Sequence, residues 1–338
     1  MKETAVVILN WNGKDLLKRF LPSVTKYSPQ ADVVVIDNAS TDNSVSFLTE
    51  SYTTIQVVAL DKNLGYAGGY NKGLSFLNYQ NYVLLNSDVE VTENWLTPIL
   101  EFYHSHEKVG CIQPKILDLN NRSKFEYAGA AGGFIDKDLF AFCRGRLLSE
   151  LEEDTGQYDS VAEVFWASGA ALFISGELFK SSGGFDEDFF AHMEEIDLCW
   201  RLQNLGYTNY CIPQSTVYHL GGGTLSKLSS HKTYLNFRNN LYIIAKNYAG
   251  SLPLKVFYRM ALDGIAAWRF FFRGEFNNFI AVGRAHFMFY YQLPSLLRKR
   301  KKCLPKQHVE LKGMSKKSLI FGFFIKKKTT FMELMSDS

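Results

Sequence analysis

Two apolar segments near the start of the chain each lead directly into an aspartate. VVVID ends at Asp37, and YVLLNSD ends at Asp88. Short runs of Val, Ile and Leu predict strands that are buried on both faces, as in a parallel sheet. Open parallel sheets bind their ligands beyond the carboxyl ends of the strands. The two carboxylates therefore predict a site for a cation or for the hydrogen-bond donors of a ligand.

Each aspartate has a functional and a structural interpretation. Asp37 could accept the N3–H of a uracil or thymine ring, or it could cap the turn after its strand. Asp88, with Glu90 nearby, could bind a hard divalent cation such as Mg²⁺ or Mn²⁺, which takes carboxylate and phosphate oxygens as ligands. A solvated acidic turn is the alternative for Asp88.

The densest group of acids lies further along, in GGFDEDFFAHMEEIDLCWR (183–201), with six acids between positions 186 and 197. Glu194 and Glu195 begin a predicted helix, where acids are common because they complement the helix dipole. The helix dipole therefore accounts for one or two of the six acids. Acids beside aromatic residues suit a general base next to a ring-shaped substrate. Arg201 could pair with one of these acids and hold the end of the helix in place.

Two further segments could contribute to a site. NLGYAGGYNKG (63–73) is expected to be a glycine-rich loop ahead of a helix, whose backbone N–H groups could approach phosphate oxygens. It lacks the GxGxxG spacing and follows the third strand, which disfavours dinucleotide binding. His219 ends a strand before three glycines. A lone histidine is more often structural, but this one could complete the coordination of a metal at Asp88.

The elements that must position these residues follow a strand–helix alternation. Strands are predicted at 5–11, 33–37, 55–61 and 82–91, with helices between them, which is the pattern of a parallel βαβ sheet. Strand patterns continue to about residue 225, around an irregular loop at 118–160, a helix at 194–207 and two short strands before the glycines. Aromatic-rich helical patterns follow. We therefore predict a catalytic domain at 1–225 and a helical, basic region at 226–338.

Charge is distributed unevenly along the 338 residues. Residues 293–338 carry twelve Lys and Arg against three Asp and Glu, whereas the rest carries 25 against 31. Basic clusters at 298–302 and 326–328, beside Phe, Leu and Tyr, suit an amphipathic element on an anionic membrane surface. A solvated disordered tail is the alternative. Nucleic-acid binding is disfavoured because no recognition fold accompanies the charge.

Other sequence features favour a cytoplasmic protein. The five cysteines are scattered without a CxxC pair, which disfavours a disulfide framework and a zinc site. The N-terminus enters a strand directly, with no signal-peptide pattern. No apolar stretch reaches the roughly 18 residues that a membrane span needs. We therefore do not expect an integral membrane protein.

Taken in order, these motifs resemble glycosyltransferase family 2, the inverting nucleotide-sugar enzymes of the GT-A fold. The matching segments span about two thirds of the chain, and they are VVILNWNG, VVVIDNASTDNS, NLGYAGGYNKG, YVLLNSDVEV, the stretch from SGAALFIS to LQNLGY, and VYHLGGGT. The chain looks most like bacterial rhamnosyltransferase-type members. The resemblance implies an α/β fold with a mostly parallel sheet flanked by helices, followed here by a C-terminal helical region that associates with membranes.

The resemblance also implies roles for individual residues. Glu195 would be the catalytic base, and Asp88 and His219 would hold Mg²⁺ or Mn²⁺. The residues expected to bind the nucleotide and donor are Asn10, Asp37, Asn38, Gly69, Asn71, Asn86, Ser87 and Asp88. Those expected to contact the acceptor or support the site are Trp166, Glu194, Asp197 and Arg201. Two positions depart from the family pattern: Asn86 replaces the first Asp of the DxD motif, and Glu195 replaces the usual Asp of the ED motif.

The implied function is inverting transfer of a sugar from dTDP-rhamnose or a UDP-hexose to a glycan or polyprenyl-linked acceptor in cell-surface polysaccharide synthesis. Such an enzyme would lie at the inner face of the plasma membrane, with no nucleic-acid partner. The alternatives are a nucleotidyltransferase and a non-catalytic protein that binds sugar nucleotides. The sequence makes no prediction of oligomeric state.

Overall fold

Strands and helices alternate along the first ninety residues, as predicted. The computed structural model describes residues 2–221, 230–305 and 307–336. The strands in these ranges are β1 (Thr4–Asn10), β2 (Ala31–Asp37), β3 (Gln56–Ala59), β4 (Asn81–Asn86), β5 (Val89–Val91), β6 (Val109–Asp118), β7 (Gly133–Ile135), β8 (Ala141–Cys143), β9 (Arg146–Leu147), β10 (Glu150–Leu151), β11 (Ala162–Val164), β12 (Ala171–Ser175) and β13 (Thr208–His219). The helices are α1 (Lys14–Tyr27), α2 (Ser44–Ser51), α3 (Gly65–Leu74), α4 (Thr97–Ser105), α5 (Gly176–Ser181), α6 (Glu194–Asn204), α7 (Ser230–Asn247), α8 (Leu252–Phe272), α9 (Phe276–Cys303) and α10 (Phe331–Met335).

One large sheet organises the molecule. Its strand order is β11-β13-β6-β12-β4-β1-β2-β3, and β5 pairs with β13. The strands β3, β2, β1 and β4 run parallel, so their carboxyl ends share one edge of the sheet. In this register Asn10 lies opposite Asp37, and the preceding residue of β1 lies opposite Asn86. The expected α/β fold, with helices flanking the sheet, is confirmed.

The strand predicted at 82–91 is in fact two strands. β4 ends at Asn86, and β5 turns away to pair with β13, where Val89 lies opposite His219. The break at residues 87–88 brings Asp88 beside the end of β13. The two short strands predicted near 208–219 are instead a single strand, irregular between Ile212 and Thr216.

The glycine-rich segment at 63–73 is not a loop ahead of a helix, because α3 begins at Gly65. Its glycines are needed for packing against the sheet. A Cβ on Gly73 would lie 2.2 Å from Cδ1 of Ile36, and one on Gly69 would lie 2.9 Å from Cδ1 of Leu9. The prediction was wrong because glycine, which disfavours helices in isolation, lets this helix approach the strands closely.

The region 118–160, predicted to be irregular, contains a second sheet. Strands β7 to β10 form it in the antiparallel order β10-β9-β8-β7. Trp166 covers this sheet: its indole Nε1 donates to the carbonyl of Phe134 at 3.0 Å, and its ring occupies the space that a Cβ on Gly133 would need. The strands are only two or three residues long, too short for an alternating pattern to be recognised in the sequence.

The C-terminal helices were predicted correctly, but the basic segments do not form one external element. Lys299, within the 298–302 cluster, pairs with Asp186 at 2.5 Å and Asp188 at 2.7 Å. The later residues pack on the second sheet, where Phe331 lies 4.8 Å from the ring of Phe134. The predicted domain boundary at 225/226 lies outside the described residues and stays a prediction. None of the helices in the described part of the chain has the length and apolarity that crossing a bilayer requires.

Candidate active site

A histidine lies between two carboxylates at the edge of the main sheet. His219 Nε2 lies 3.1 Å from Asp88 Oδ1, and its Nδ1 lies 3.1 Å from Glu126 Oε2. All three side chains are buried. Burial alone would lower the pKa of His219, but its contacts with Asp88 and Glu126 outweigh burial and raise the pKa to about 10. Without a metal ion, a protonated imidazole therefore balances the two acids.

The side chains of Asp88 and His219 suit a divalent metal ion that substrate oxygens also coordinate. Two neighbouring ligands of an octahedral ion with bonds of about 2.1 Å lie about 3 Å apart, close to the separation of Asp88 and His219. The contact from Glu126 to the second ring nitrogen is the usual means of orienting a histidine ligand. Within the described ranges, no group of three His, Cys, Asp or Glu residues could hold a metal by itself. Substrate oxygens would have to complete the coordination.

The ends of β1 and β2 form a second polar cluster. Asn10 Nδ2 donates to Asp37 Oδ2 at 2.9 Å and to Ser40 Oγ at 3.1 Å. The backbone N–H of Ser40 donates to the other oxygen of Asp37, so this carboxylate does cap the turn after its strand. Asn10 Oδ1 is buried and has no hydrogen-bond partner among the described residues. An acceptor in that position suits the N–H of a nucleobase.

Three residues expected in the donor site have structural contacts. Asn71 joins α3 to the acidic segment: its amide donates to the Phe185 carbonyl at 2.8 Å and accepts from the Phe185 N–H at 3.0 Å. Gly69 packs against β1, as described above. Asn38 binds Gly65 and Leu64 through its amide and fixes the start of α3. Asn86 and Ser87 are half-buried beside Asp88.

Five of the six clustered acids divide into two groups. Asp197 is fully buried and pairs with Lys246 at 2.8 Å and with Arg201 at 2.9 Å, so the predicted pairing of Arg201 with an acid is confirmed. Burial alone would raise the pKa of Asp197, but these two cations hold it well below its usual range. Asp186 and Asp188 pair with Lys246 and Lys299 in the same network.

Glu194 and Glu195 differ from that network in having no salt bridge to a described residue. One carboxylate oxygen of each, Oε2, is buried without a hydrogen-bond partner in the described chain. Burial raises the pKa of Glu195 to about 7, although backbone N–H groups at the start of α6 oppose the shift. Burial and the neighbouring Glu195 carboxylate raise the pKa of Glu194 well above its usual range. A carboxylate that titrates near neutrality suits a general base.

The backbone just before these glutamates is strained. Phe190, His192 and Met193 have φ values of 63°, 69° and 75°, in the left-handed region that non-glycine residues rarely adopt. The strained segment is held by α7, where Asn239 Nδ2 donates to the carbonyls of Phe189, Ala191 and His192. Strain that the surroundings maintain in this way is typical of functional sites.

A buried thiol, that of Cys143, links the metal-ligand candidates to the glutamates. Burial is the main cause that raises the pKa of the Cys143 thiol, and the carboxylates of both Glu126 and Glu195 add to it. Cys143 therefore lies within electrostatic range of both Glu126, beside the metal-ligand candidates, and Glu195. Sequence reasoning missed Glu126 and Asn239, because no motif marks an acid in a polar turn or an asparagine within a helix.

Comparison with known proteins identifies the family of the N-terminal part of the chain. Residues 5–142 match the model of glycosyl transferase family 2. The chain carries a glycosyl transferase family 2 domain. It is 26% identical over 249 residues to the low-salt glycan biosynthesis hexosyltransferase Agl10 of Haloferax volcanii, covering 71% of this chain and 74% of that protein. It is 25% identical over 252 residues to the N-acetylglucosaminyl-diphospho-decaprenol L-rhamnosyltransferase of Mycobacterium tuberculosis, covering 68% and 82%.

Solved structures show that the fold around the family 2 domain is GT-A. GalNAc-T7 with UDP, GalNAc and Mn²⁺ superimposes with a TM-score of 0.57 at 19% identity. That match covers 73% of this chain but only 48% of GalNAc-T7. The mannosyltransferase PcManGT of Pyrobaculum calidifontis, with GDP-Man and Mn²⁺, gives 0.53 at 14% identity and covers 89% and 79%.

Proposed function

We propose that the protein is an inverting glycosyltransferase that moves a hexose or deoxyhexose from a nucleoside diphosphate to a hydroxyl of a glycan or lipid-linked acceptor. The observation that carries this proposal is the presence of two unlike acidic centres. Asp88 and His219 suit a metal-bound diphosphate, while Glu195 is a carboxylate with a raised pKa and no salt bridge to a described residue. The similarity to a hexosyltransferase and to a rhamnosyltransferase supports this choice of sugar.

In this mechanism the chain's own residues bind the donor at the edge of the sheet. Asn10 and Asp37 would contact the nucleobase through the open acceptor Asn10 Oδ1 and the buried carboxylate. Asp88 and His219 would hold Mg²⁺ or Mn²⁺. The ion would neutralise the charge on the departing nucleoside diphosphate. Glu126 would keep the imidazole oriented.

Glu195 would act on the acceptor. Its carboxylate would accept the proton of the acceptor hydroxyl at Oε2 while the oxygen attacks the anomeric carbon. A single displacement of this kind inverts the configuration at that carbon. The neighbouring Glu194 would favour its protonated form, because burial and the Glu195 carboxylate raise its pKa.

A product assay tests the proposal directly. The protein would be incubated with UDP-, dTDP- and GDP-sugars, Mn²⁺ and lipid-linked or glycan acceptors, and the released nucleotide would be identified. We expect nucleoside diphosphate together with a glycosylated acceptor. Release of pyrophosphate would instead identify a nucleotidyltransferase. Donor binding without any product across the acceptor panel would favour a non-catalytic sugar-nucleotide-binding protein.

Activity should depend on pH through Glu195. Because burial raises its pKa to about 7, the base is protonated and inactive in acid. We expect kcat/KM to rise about tenfold per pH unit below that value and to level off above it. Rates measured from pH 5 to pH 9 check this. A profile that is flat down to pH 5 would contradict a base with a raised pKa.

Asp88→Asn should weaken binding of nucleoside diphosphate in the presence of Mn²⁺. Loss of even an outer-sphere partner of a metal weakens binding by about tenfold or more, and we expect at least that from a direct ligand. Calorimetric titration with and without Mn²⁺ measures it. Glu90→Gln is the matched control, because Glu90 is a nearby acid that pairs with Arg122 at the surface. Equal affinities for both variants would remove Asp88 from the metal site.

A further inference from the structure

The helix α8 has charged residues on its buried face and apolar residues on its exposed face. It buries Arg259 and Asp263, which pair with each other at 2.8 Å. Large apolar residues occupy its outer face instead: Phe257 is 74% exposed, Ile265 69% and Phe272 80%. A surface helix of a soluble protein normally has the opposite arrangement.

The neighbouring helix α9 continues the same surface. Its exposed residues include Phe276, Ile280, Phe287 and Tyr291, spaced three to four residues or a multiple apart, so they share one face. A groove of about 530 Å³ separates the two helices and is lined by Gly264, Trp268 and Gly283 among others. The exposed apolar residues of α8 and α9 together form what we call the hairpin face. Contiguous apolar surfaces of this kind mark interaction sites.

The charges around the hairpin face are positive. From residue 252 to residue 303 there are ten Lys and Arg and only two acids, one of which is the buried Asp263. Arg269, Arg273 and Arg284 are exposed on the hairpin itself. The guanidinium of Arg269 also lies 5.7 Å from the ring of Phe324, which joins residues 321–327 to this surface. An apolar face with a basic rim is complementary to an anionic lipid surface.

The turn between α8 and α9 is connected to the candidate catalytic glutamates through α7. Near the start of α9, Asn278 accepts from Thr233 Oγ1 at 2.9 Å, at the beginning of α7. A few residues further along α7, Asn239 holds the strained segment before Glu194 and Glu195. A bilayer in contact with this turn would therefore lie on the side of the molecule where α7 begins.

We propose that the hairpin face of α8 and α9 docks onto the surface of an anionic bilayer. The aromatic side chains would enter the boundary between headgroups and acyl chains, and the arginines would contact lipid phosphates. This surface differs from the membrane element predicted at 293–338, because α8 and the first part of α9 form most of it, while Lys299 of the predicted element pairs with Asp186 and Asp188. The proposal does not depend on glycosyl transfer, since binding is measured without donor or acceptor.

Vesicle flotation tests the docking. The full chain would be floated with vesicles of phosphatidylcholine alone or of phosphatidylcholine with phosphatidylglycerol. We expect the wild type to float with the anionic vesicles, and Trp268→Ser combined with Phe272→Ser to reduce binding by about tenfold or more. Phe76→Ser is the matched control: Phe76 is 57% exposed but follows α3, away from the hairpin, and its loss should change nothing.

The charge contribution is tested separately. Arg273→Gln with Lys327→Gln should weaken binding to anionic vesicles by roughly fivefold per residue and leave binding to neutral vesicles unchanged. Unaltered thermal unfolding would show that the variants are folded. The proposal is overturned if the wild type stays unbound with both vesicles, or if the aromatic double variant binds like the wild type. It is also overturned if lipid-free wild type is a dimer that the double variant converts to a monomer.

Discussion

Replacing Glu195 with Gln should abolish sugar transfer and leave donor binding intact. Glutamine keeps the shape of the side chain but cannot accept a proton, so only the chemical step is affected. General-base catalysis contributes about 10²- to 10⁴-fold, and we expect kcat to fall by that factor. The dissociation constant of the donor should stay within about threefold, because Asp88 and His219, the residues proposed to hold the metal ion and its diphosphate, are unchanged. Single-turnover rates and calorimetric titration would separate the two effects.

Two matched variants make this experiment specific. Glu187→Gln alters an exposed acid in the same acidic segment, and the new side chain can still accept the hydrogen bond from Asn71. We expect near wild-type rates from it. Glu194→Gln should also be mild, because Glu194 is not the proposed base and its raised pKa favours the protonated form. Full loss of activity in Glu194→Gln with turnover retained in Glu195→Gln would transfer the role of base to Glu194.

The residues at the carboxyl ends of the parallel strands could be predicted, because local sequence patterns identify those strands. Apolar runs identify β2 and β4, and parallel pairing then brings the residues that follow them together. The sequence predicts that Asp88 and His219 lie together only if both bind the same metal ion. Asp88 and His219 are 131 residues apart in sequence. Their contact depends on β5, which changes direction after β4 and pairs with β13. A two-residue break in an apolar run does not reveal that change of partner.

The division of the clustered acids could not be predicted. Nothing local distinguishes Asp186 from Glu195, since both belong to one acidic stretch that also contains aromatic residues. The difference comes from Lys246 and Lys299, which are 60 and 113 residues away from Asp186 in sequence. The sequence also predicts that the basic C-terminal segment lies on a membrane surface, because it does not reveal the contacts of Lys299 with Asp186 and Asp188. Part of the charge of that segment neutralises these two acids.

Asp197→Asn should cost more stability than any surface charge change in the molecule. Its carboxylate is fully buried and pairs with two cations, Lys246 and Arg201, and Lys246 is itself almost completely buried. Removing one partner of a buried ion pair leaves an uncompensated charge, at a cost of about 3–5 kcal/mol in the free energy of unfolding. Urea denaturation at pH 7 measures this. Glu163→Gln, which breaks an exposed pair with Lys312, should cost less than about 1 kcal/mol.

The pH dependence of that difference provides a second check. Because the folded protein holds the pKa of Asp197 below its unfolded value, the stabilisation is fully present above about pH 4 and is lost as the pH falls further. The gap between wild type and Asp197→Asn should therefore shrink in acid. A gap below 1 kcal/mol at pH 7, equal to that of Glu163→Gln, would show that this network does not hold α6. Glu194 and Glu195 would then need another explanation for their position at the start of that helix.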